Sequence, residues 1–319
     1  MSTEFPVFDP VSPEAEAIRD LFVQVLLISA GIFLIVAGLI CVALLRFRAR
    51  EELPPQDFGS ARKEISWMVG PVIIVLWLAA ISVKLMLTVN AVPAMYAAPE
   101  ASTDGQQVDL VVTGHQWWWE IEYPGDGIVS ANEVHIPVGK KLRVRLTSAD
   151  VIHCFWVAQL ARKMDAIPGH ENYIWLQADR PGVYQGRCAE YCGTQHAWMN
   201  FEVIAHDPAD YQKWRDAAKQ TPSKPEASLA QQGEALFMKL TCSQCHAIAG
   251  TGAAGAYAPD LTDLASRRTL GAGVLVNNRE NLRTWLKDPQ AVKPGCKMPD
   301  FKLSDAHLDQ LVAYLETLK

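Results

Sequence analysis

The sequence predicts a multidomain chain that begins with a two-helix transmembrane hairpin, continues into a β-sandwich and ends in a small all-α domain. Three observations support this prediction: two long uncharged apolar runs, strand-like alternation in the middle, and helical periodicity in the last third. The 319 residues are enough for two or more domains. The formal net charge is −6 and no stretch is strongly basic, which argues against a nucleic-acid partner.

The N-terminal part, residues 1–90, contains both predicted membrane spans. Residues 21–45 form a run of 25 residues without a charge, and residues 65–83 form another of 19. A helix rises about 1.5 Å per residue and a hydrocarbon core is roughly 30 Å thick, so each run is long enough to cross a membrane. We therefore predict spans at about 21–45 and 66–89.

The distribution of basic residues predicts the orientation of this hairpin. The segment between the spans contains Arg46, Arg48, Arg50, Arg62 and Lys63, whereas the N-terminal tail contains only Arg19. Because basic residues stay on the cytoplasmic side, the N-terminus and everything after about residue 90 are predicted to lie outside. A cleavable signal peptide fits poorly, since acidic residues precede the first span where a basic segment is needed.

Residues 107–205 are predicted to form the β-sandwich. Segments such as HQWWWEIEYP, KKLRVRLTSA and MNFEVIA are short, rich in β-branched and aromatic residues, and bounded by Gly, Pro, Asn or Asp. About seven such segments within roughly 100 residues are typical of a sandwich. The small and polar residues 91–106 are interpreted as a linker before the sandwich. Residues 206–227, which have a polar and helical pattern that breaks at TPSKPEAS, are interpreted as a second linker after it.

The all-α domain, residues 228–319, carries a haem-attachment motif. In TCSQCH, Cys242 and Cys245 would form thioethers to a c-type haem and His246 would bind its iron. Met298, in KPGCKMPDF, lies 52 residues after His246 and is the candidate for the opposite axial ligand. A His/Met pair raises the reduction potential and suits electron transfer rather than oxygen binding.

Two alternatives apply to the Cys-x-x-Cys motif. A zinc ribbon would need two further ligands, for which only Cys296 and His307 follow in the sequence. A redox dithiol would need a βαβ context, and the surrounding pattern is helical. Met238 is the other candidate axial methionine, but it is too near the attachment site in sequence to reach the opposite face of the haem.

The segment from residue 228 to the end resembles a class I cytochrome c domain. The resemblance is carried by GAYAPDLTDLASR, ENLRTWLKDPQ, KPGCKMP and the closing VAYLETL. More narrowly, this segment is similar to the domain fused to the second subunit of some bacterial haem-copper oxidases. The resemblance implies covalently attached haem c.

A second group of metal-ligand residues lies in the segment CAEYCGTQHAWM. It contains Cys188, Cys192, His196 and Met199, and His153 lies 35 residues before Cys188. Two cysteines and two histidines would also satisfy a tetrahedral zinc ion, which remains the alternative. The thioether favours copper, because zinc does not seek this soft ligand, and two thiolates in one loop can bridge two coppers.

These residues resemble the CuA centre of cytochrome c oxidase subunit II. The similarity extends from about residue 15 to the end of the chain and includes GHQWWWEIEYP, DVIHCFWV and the hairpin. It implies a cupredoxin-like sandwich in which Cys188 and Cys192 bridge two coppers while His153 and His196 bind one copper each.

The same resemblance implies roles for five further residues. Met199 would be a weak copper ligand, as would the backbone carbonyl of Glu190, whose carboxylate in this family also binds magnesium at the junction with the catalytic subunit. Trp117 or Trp118 would receive electrons from a docked cytochrome, and Glu64 would lie at the cytoplasmic entrance of a proton pathway. On the residues alone, the tryptophans could instead pack in the core and Glu64 could be a solvated helix-start carboxylate.

The predicted function is that of the electron-input subunit of a respiratory haem-copper cytochrome c oxidase of the caa type. Electrons would pass from cytochrome c, or from an upstream cytochrome-containing complex, through haem c and the binuclear CuA centre to catalytic subunit I, where oxygen is reduced to water and protons are pumped. Subunit III and membrane lipid are further expected partners. The expected location is the bacterial inner (plasma) membrane, with the large domains on the periplasmic or outer face.

Two other functions compete with this prediction. One is a membrane-anchored electron carrier or copper assembly protein outside an oxidase, which would purify without a many-span partner. The other is a quinol oxidase subunit, which would share the hairpin and the sandwich but lack the metal ligands.

Overall fold

The computed structural model describes residues 6–47, 59–91 and 108–319. Two apolar helices, α1 (Pro13–Arg46) and α2 (Ala61–Val89), are each long and hydrophobic enough to cross a membrane. Their apolar side chains are largely exposed, as lipid contact requires. Arg48 and Arg50, two of the basic residues from which the orientation of the hairpin was predicted, lie outside the described residues. So do residues 92–106 of the predicted linker.

The middle of the chain forms a sandwich of two five-stranded sheets, and the predicted fold class is confirmed. The first sheet has the order β3-β2-β1-β5-β8, with β1 Leu110–His115, β2 Trp118–Tyr123, β3 Ile128–Ala131, β5 Leu142–Ser148 and β8 Asn172–Leu176. The second has the order β4-β10-β9-β6-β7, with β4 Glu133–Pro137, β6 His153–Trp156, β7 Met164–Ala166, β9 Gly182–Cys188 and β10 Asn200–His206.

The core of the sandwich follows from alternation along its strands. In β5, Leu142, Val144 and Leu146 are buried while the arginines between them are half-exposed. Trp119 and Phe155 come from opposite sheets and meet edge to face, with ring centroids 5.7 Å apart. Strands β3, β6 and β7 have only three or four residues, too few for a period of two to be visible in the sequence.

The segment interpreted as a 206–227 linker begins with a helix that packs on the sandwich. Helix α3 (Pro208–Ala218) stacks the ring of Trp214 on that of His135 in β4, with centroids 4.3 Å apart. Arg215 forms an ion pair with Asp126 from the β2–β3 turn. The burial of one aromatic ring and this ion pair therefore attach the first half of the segment to the sandwich.

The last part of the chain is helical. It contains α4 (Ser228–Lys239), α5 (Cys242–Cys245), α6 (Arg279–Lys287), α7 (Pro289–Val292) and α8 (Asp305–Leu315), with a small hairpin of β11 (Thr269–Leu270) and β12 (Leu275–Val276). Helices α4 and α8 pack so closely at Gly233 that a Cβ there would lie 2.0 Å from the carbonyl oxygen of Gln310. Ser304 caps α8 by accepting a hydrogen bond from the backbone N–H of His307.

The sandwich and the helical domain belong to one compact unit. The carboxylate of Glu133, which is almost fully buried, accepts hydrogen bonds from the backbone N–H groups of Arg268 (2.6 Å) and Thr269 (3.1 Å). The Arg268 side chain also pairs with Glu202 at 2.9 Å. These polar contacts hold the helical domain on the edge of the sandwich formed by β4 and β10.

Candidate metal centres

The sandwich brings the predicted copper-ligand residues to one of its ends. His153 begins β6, Cys188 ends β9, and Cys192 follows in the loop after β9. His196 lies in a short 3₁₀ turn of that loop, and Met199 comes directly after the turn and before β10. Strand β9 and the loop after it therefore supply four candidate ligands, and the neighbouring strand β6 supplies the fifth.

The donor atoms of these residues lie close together. The sulfur atoms of Cys188 and Cys192 are 3.8 Å apart, and Cys192 Sγ is also 3.8 Å from Met199 Sδ. His153 Nδ1 is 3.9 Å from Cys188 Sγ, while His196 Nδ1 is 3.7 Å from Cys192 Sγ. Each imidazole thus faces a different sulfur.

The ring of His153 is oriented by the Asp150 carboxylate and packs against Gly114. Its Nε2 lies 2.8 Å from Asp150 Oδ1, and the other carboxylate oxygen of Asp150 accepts a hydrogen bond from the backbone N–H of Gln116 at 2.6 Å. A Cβ on Gly114 in β1 would lie 2.6 Å from Cδ2 of the His153 ring, so only glycine leaves room for it. A ligand oriented by a carboxylate in this way is typical of metal-binding histidines.

The electrostatics of the site favour an anionic sulfur. Hydrogen bonds from Cys192 and His153 lower the pKa of the Cys188 thiol to about 3. The hydrogen bond with Cys188, then burial and the charge on Cys188, raise the pKa of the Cys192 thiol. Burial opposes the charged form of His153, but its hydrogen bonds with Cys188 and Asp150 leave the pKa of the imidazole raised. Without a cation the pair of thiols therefore carries one shared negative charge, which a metal ion would neutralise.

The donor set fits a copper site better than a zinc site. The thioether of Met199 is fully buried and points at the thiols, and zinc does not seek such a ligand. Cys188 Sγ also lies 3.2 Å from the carbonyl oxygen of Glu190, which brings the last predicted ligand atom to the site. A third thiol, Cys154, is turned away from the ligands toward Asp165; burial first and then this carboxylate raise the pKa of Cys154 to about 12.

Two further predicted roles, those of Glu190 and Glu64, have no structural support in the described residues. The side chain of Glu190, the predicted magnesium ligand, is exposed. Among the described residues, the only group of three or more His, Cys, Asp or Glu side chains with donor atoms within 4.8 Å of one another consists of His153, Cys188 and Cys192. Glu190 is not part of this group. Glu64 lies in the first turn of α2, four residues after the capping residue Ser60, and its side chain is exposed.

The helical domain brings the predicted haem ligands to one cleft of about 250 Å³, which Cys242, Cys245, His246 and Met298 help to line. His246 Nδ1 lies 2.6 Å from the carbonyl oxygen of Pro259, so an N–H there donates to it and leaves Nε2 available for iron. Burial lowers the pKa of His246, which keeps the imidazole neutral as iron binding requires.

The remaining lining of the cleft also fits haem. The Met298 loop is held by Gln290, whose amide donates to the carbonyl oxygens of Cys296 and Met298, both at 2.8 Å. Arg267 is buried in the cleft wall, and its Nε has no hydrogen-bond partner. Such an orphaned donor suits the carboxylate of a haem propionate.

The three consecutive tryptophans lie in different surroundings. Trp119 is buried in the core of the sandwich, while Trp118 is buried between the ring of His115 and the helical domain, where Ala272 packs against it. Trp117 is partly exposed and, like Trp118, lines the haem cleft. Its Nε1–H donates to the carbonyl oxygen of Cys192 at 2.9 Å. Trp117 therefore lies between the haem cleft and a candidate copper ligand.

A buried group of thiols and imidazoles, a haem cleft and a pair of apolar helices together define a membrane-anchored electron-transfer protein. Three family models match the chain: cytochrome c oxidase subunit II, transmembrane domain, at residues 2–85; cytochrome c oxidase subunit II, periplasmic domain, at 127–206; and cytochrome c at 230–319.

The chain is also similar to individual proteins. The chain is 36% identical to cytochrome c oxidase subunit 2 of Alkalihalophilus pseudofirmus, over 98% of this chain and 90% of that protein. It is also 36% identical to quinol oxidase subunit 2 of Bacillus cereus, over 68% of this chain and 74% of that protein. The crystal structure of the periplasmic domain of subunit II of cytochrome oxidase from Bradyrhizobium japonicum shares 32% identity, covers 38% of this chain and 96% of that chain, and has a TM-score of 0.34.

The chain belongs to the cytochrome c oxidase subunit II family, in the form that carries a cytochrome c domain. It is a membrane-anchored oxidoreductase subunit with an electron-transfer role, and its copper-binding and haem c-binding domains lie outside the membrane. The predicted family and enzyme class are confirmed.

Proposed function

We propose that this chain is the electron-input subunit of a haem-copper cytochrome c oxidase and that its electrons pass from its own haem c to a binuclear CuA centre. The observation that supports this route best is the position of Trp117, which lines the haem cleft and donates a hydrogen bond to the carbonyl oxygen of Cys192. When bound, haem c and the copper pair would each accept and release one electron. The chain's own residues hold these centres and fix the path between them.

In this proposal the copper pair is held by five side chains and one carbonyl. Cys188 and Cys192 would hold both coppers, His153 and His196 would each bind one, and Met199 and the carbonyl of Glu190 would complete the site. The closeness of both sulfurs and the separate imidazole on each sulfur support this division. Haem c would be attached through Cys242 and Cys245, and His246 and Met298 would bind its iron.

The proposed partners lie on both sides of this route. Cytochrome c or an upstream cytochrome-containing complex delivers electrons to the helical domain. Catalytic subunit I receives them, reduces oxygen to water and pumps protons, next to subunit III and lipid in a bacterial inner (plasma) membrane. The exposed carboxylates of Glu190, for magnesium, and Glu64, for a proton pathway, stay secondary proposals, because no neighbouring ligand or proton acceptor in the described residues supports them.

Substitution of one bridging thiol tests the assignment of the copper site. In the purified complex, Cys192→Ser is expected to abolish the mixed-valence, multi-line EPR signal of the copper pair while the haem stays covalently attached on a denaturing gel. Cys154→Ser is the matched control, because this buried thiol is next to His153 but faces Asp165. Loss of haem with retention of the copper signal would show that the two sites had been reversed.

Co-purification separates this proposal from the two alternatives. An oxidase subunit is expected to purify with a many-span catalytic subunit, whereas a free electron carrier or copper assembly protein would purify without one. A quinol oxidase subunit also matches part of the chain in sequence, but the complete ligand set and the haem cleft argue against that activity. Cytochrome c oxidation by the complex, with no quinol oxidation, is the expected result.

A further inference from the structure

We propose that Lys293 is a positioning residue that fixes the haem cleft against Trp117 and thereby controls electron transfer between the two metal centres. This inference rests on the proposed function, because it concerns the step from haem c to copper. In that step the haem iron is oxidised from Fe(II) to Fe(III), the copper pair is reduced by one electron, and no bond is formed or broken.

Lys293 joins the two domains through a single ammonium group. It follows α7, and its Nζ donates hydrogen bonds to the carbonyl oxygen of Trp117 at 3.1 Å and to that of Gly271 at 2.9 Å. Trp117 belongs to the sandwich and Gly271 to the turn after β11, so one acceptor lies in each domain. The same lysine is part of the lining of the haem cleft.

The burial of this charge is costly. Lys293 is only 3% exposed, and within residues 6–47, 59–91 and 108–319 no carboxylate forms an ion pair with it. Burial lowers its pKa to about 8. Removing an ammonium from water costs several kcal/mol, which two carbonyl acceptors offset only in part. An apolar side chain at this position would stabilise the domain interface more than a buried ammonium does. We therefore infer that Lys293 acts by positioning the haem cleft against Trp117.

Trp117 is fixed at both ends by this arrangement. Its carbonyl oxygen accepts from Lys293, and its indole N–H donates to the carbonyl oxygen of Cys192, which also accepts from the Gln116 side chain at 2.8 Å. A Cβ on Gly193 would lie 2.9 Å from Cζ2 of the indole, so the loop backbone passes directly against the ring. Lys293 therefore sets the haem cleft relative to a ring that is already fixed on the copper loop.

Other contacts keep the domains together independently of Lys293. Glu133 accepts from the backbone of Arg268 and Thr269, Glu202 pairs with Arg268, and Ser130 donates to Asp263 at 2.7 Å. The sandwich residues of these contacts lie on β3, β4 and β10, outside the loop that carries the copper-ligand candidates. A chain without the Lys293 ammonium is thus expected to fold and to dock its domains, with the cleft less firmly fixed over Trp117.

The test compares electron transfer in purified complexes of wild type, Lys293→Met and Lys287→Met. Lys287, an exposed lysine on α6, is the matched control. A photochemical reductant reduces haem c, and the change in absorbance then measures electron transfer from haem c to copper. In Lys293→Met we expect reduction of haem c to be unchanged and transfer to copper to slow by about tenfold or more, as when a contact that positions reacting groups is lost. Lys293→Arg, which retains charge and donors, is expected to recover part of the rate.

The outcomes distinguish this inference from the proposed function. Midpoint potentials of both centres are measured in each variant, so that a change in driving force is separated from a change in position. Transfer at the wild-type rate in Lys293→Met, or an equal loss in Lys287→Met, would overturn the inference. Loss of haem or copper from Lys293→Met would also overturn it, by showing a role in assembly. Absence of either centre from the wild-type chain would instead contradict the proposed function.

Discussion

The side chains that would hold metal are fixed by short-range sequence patterns and by neighbours that are distant in sequence. Four copper-ligand candidates lie close together within residues 188–199 and three haem-ligand candidates share one motif, so their spacing alone predicts both groups. Asp150, which orients His153, and Lys293, which contacts Trp117, belong to no motif. Their roles are revealed only by the fold: Lys293 contacts a residue of another domain, and Asp150, although it lies three residues before His153, is part of no recognisable pattern.

Substitution of Met298 tests the axial ligand of the haem. Met298→Ala is expected to leave haem attached through Cys242 and Cys245 but to lower its midpoint potential by at least about 0.1 V, well within the roughly 0.8 V range that axial ligands set. Redox titration of the haem band measures this change.

The rival methionine provides the control for that experiment. Met238 lies in the last turns of α4 and is partly exposed, so Met238→Ala is expected to leave the potential unchanged. An unchanged potential in Met298→Ala, together with a lowered one in Met238→Ala, would transfer the axial role to Met238.

At the level of elements, alternation and helix caps predicted most of the fold. Strand β5 buries every second residue as expected, and α8 begins after Ser304 and buries one apolar face. Strands β3 and β7 were not predicted, since three or four residues show no clear period. Helix α3 was predicted as part of a linker, because its attachment depends on Trp214 and Arg215 meeting residues that are distant in sequence.

The attachment of α3 predicts a pH dependence of stability. Hydrogen bonds from Arg215 and then Lys219 lower the pKa of Asp126 below its usual 3.8. A lowered carboxyl pKa contributes stability above the unfolded value, and this contribution is lost as the pH falls through the folded value. Asp126→Asn is therefore expected to lower stability at pH 7 by about 1 kcal/mol, and the difference from wild type is expected to shrink as the pH falls below about 4 and through the lowered pKa of Asp126.

Thermal unfolding of the purified chain at several pH values measures this effect. A loss of about 1 kcal/mol corresponds to a decrease of a few degrees in the apparent melting temperature. Asp210→Asn is the control, because Asp210 lies on the same helix and pairs with Lys213 in full exposure to solvent. A pH-independent difference between Asp126→Asn and wild type would rule out the ion pair as its cause.

At the level of the whole molecule, the order of domains was predicted but their docking was not. Glu133, Glu202 and Arg268 show no pattern in the sequence that reveals an interface, yet they bring the haem cleft to the tryptophan beside the copper loop. The consequence is that Trp118 is buried beneath the helical domain. A donor is therefore expected to deliver electrons to the haem domain rather than directly to the sandwich.

The most direct test of this account is the copper content of the purified complex, compared between wild type and the double variant Cys188→Ser, Cys192→Ser. Metals bound by other subunits are present in both complexes and therefore do not contribute to the difference in metal content. We expect the variant complex to lose two copper atoms per chain, to lose no zinc and to retain its covalent haem c. A loss of zinc, or a copper content that does not change, would contradict it.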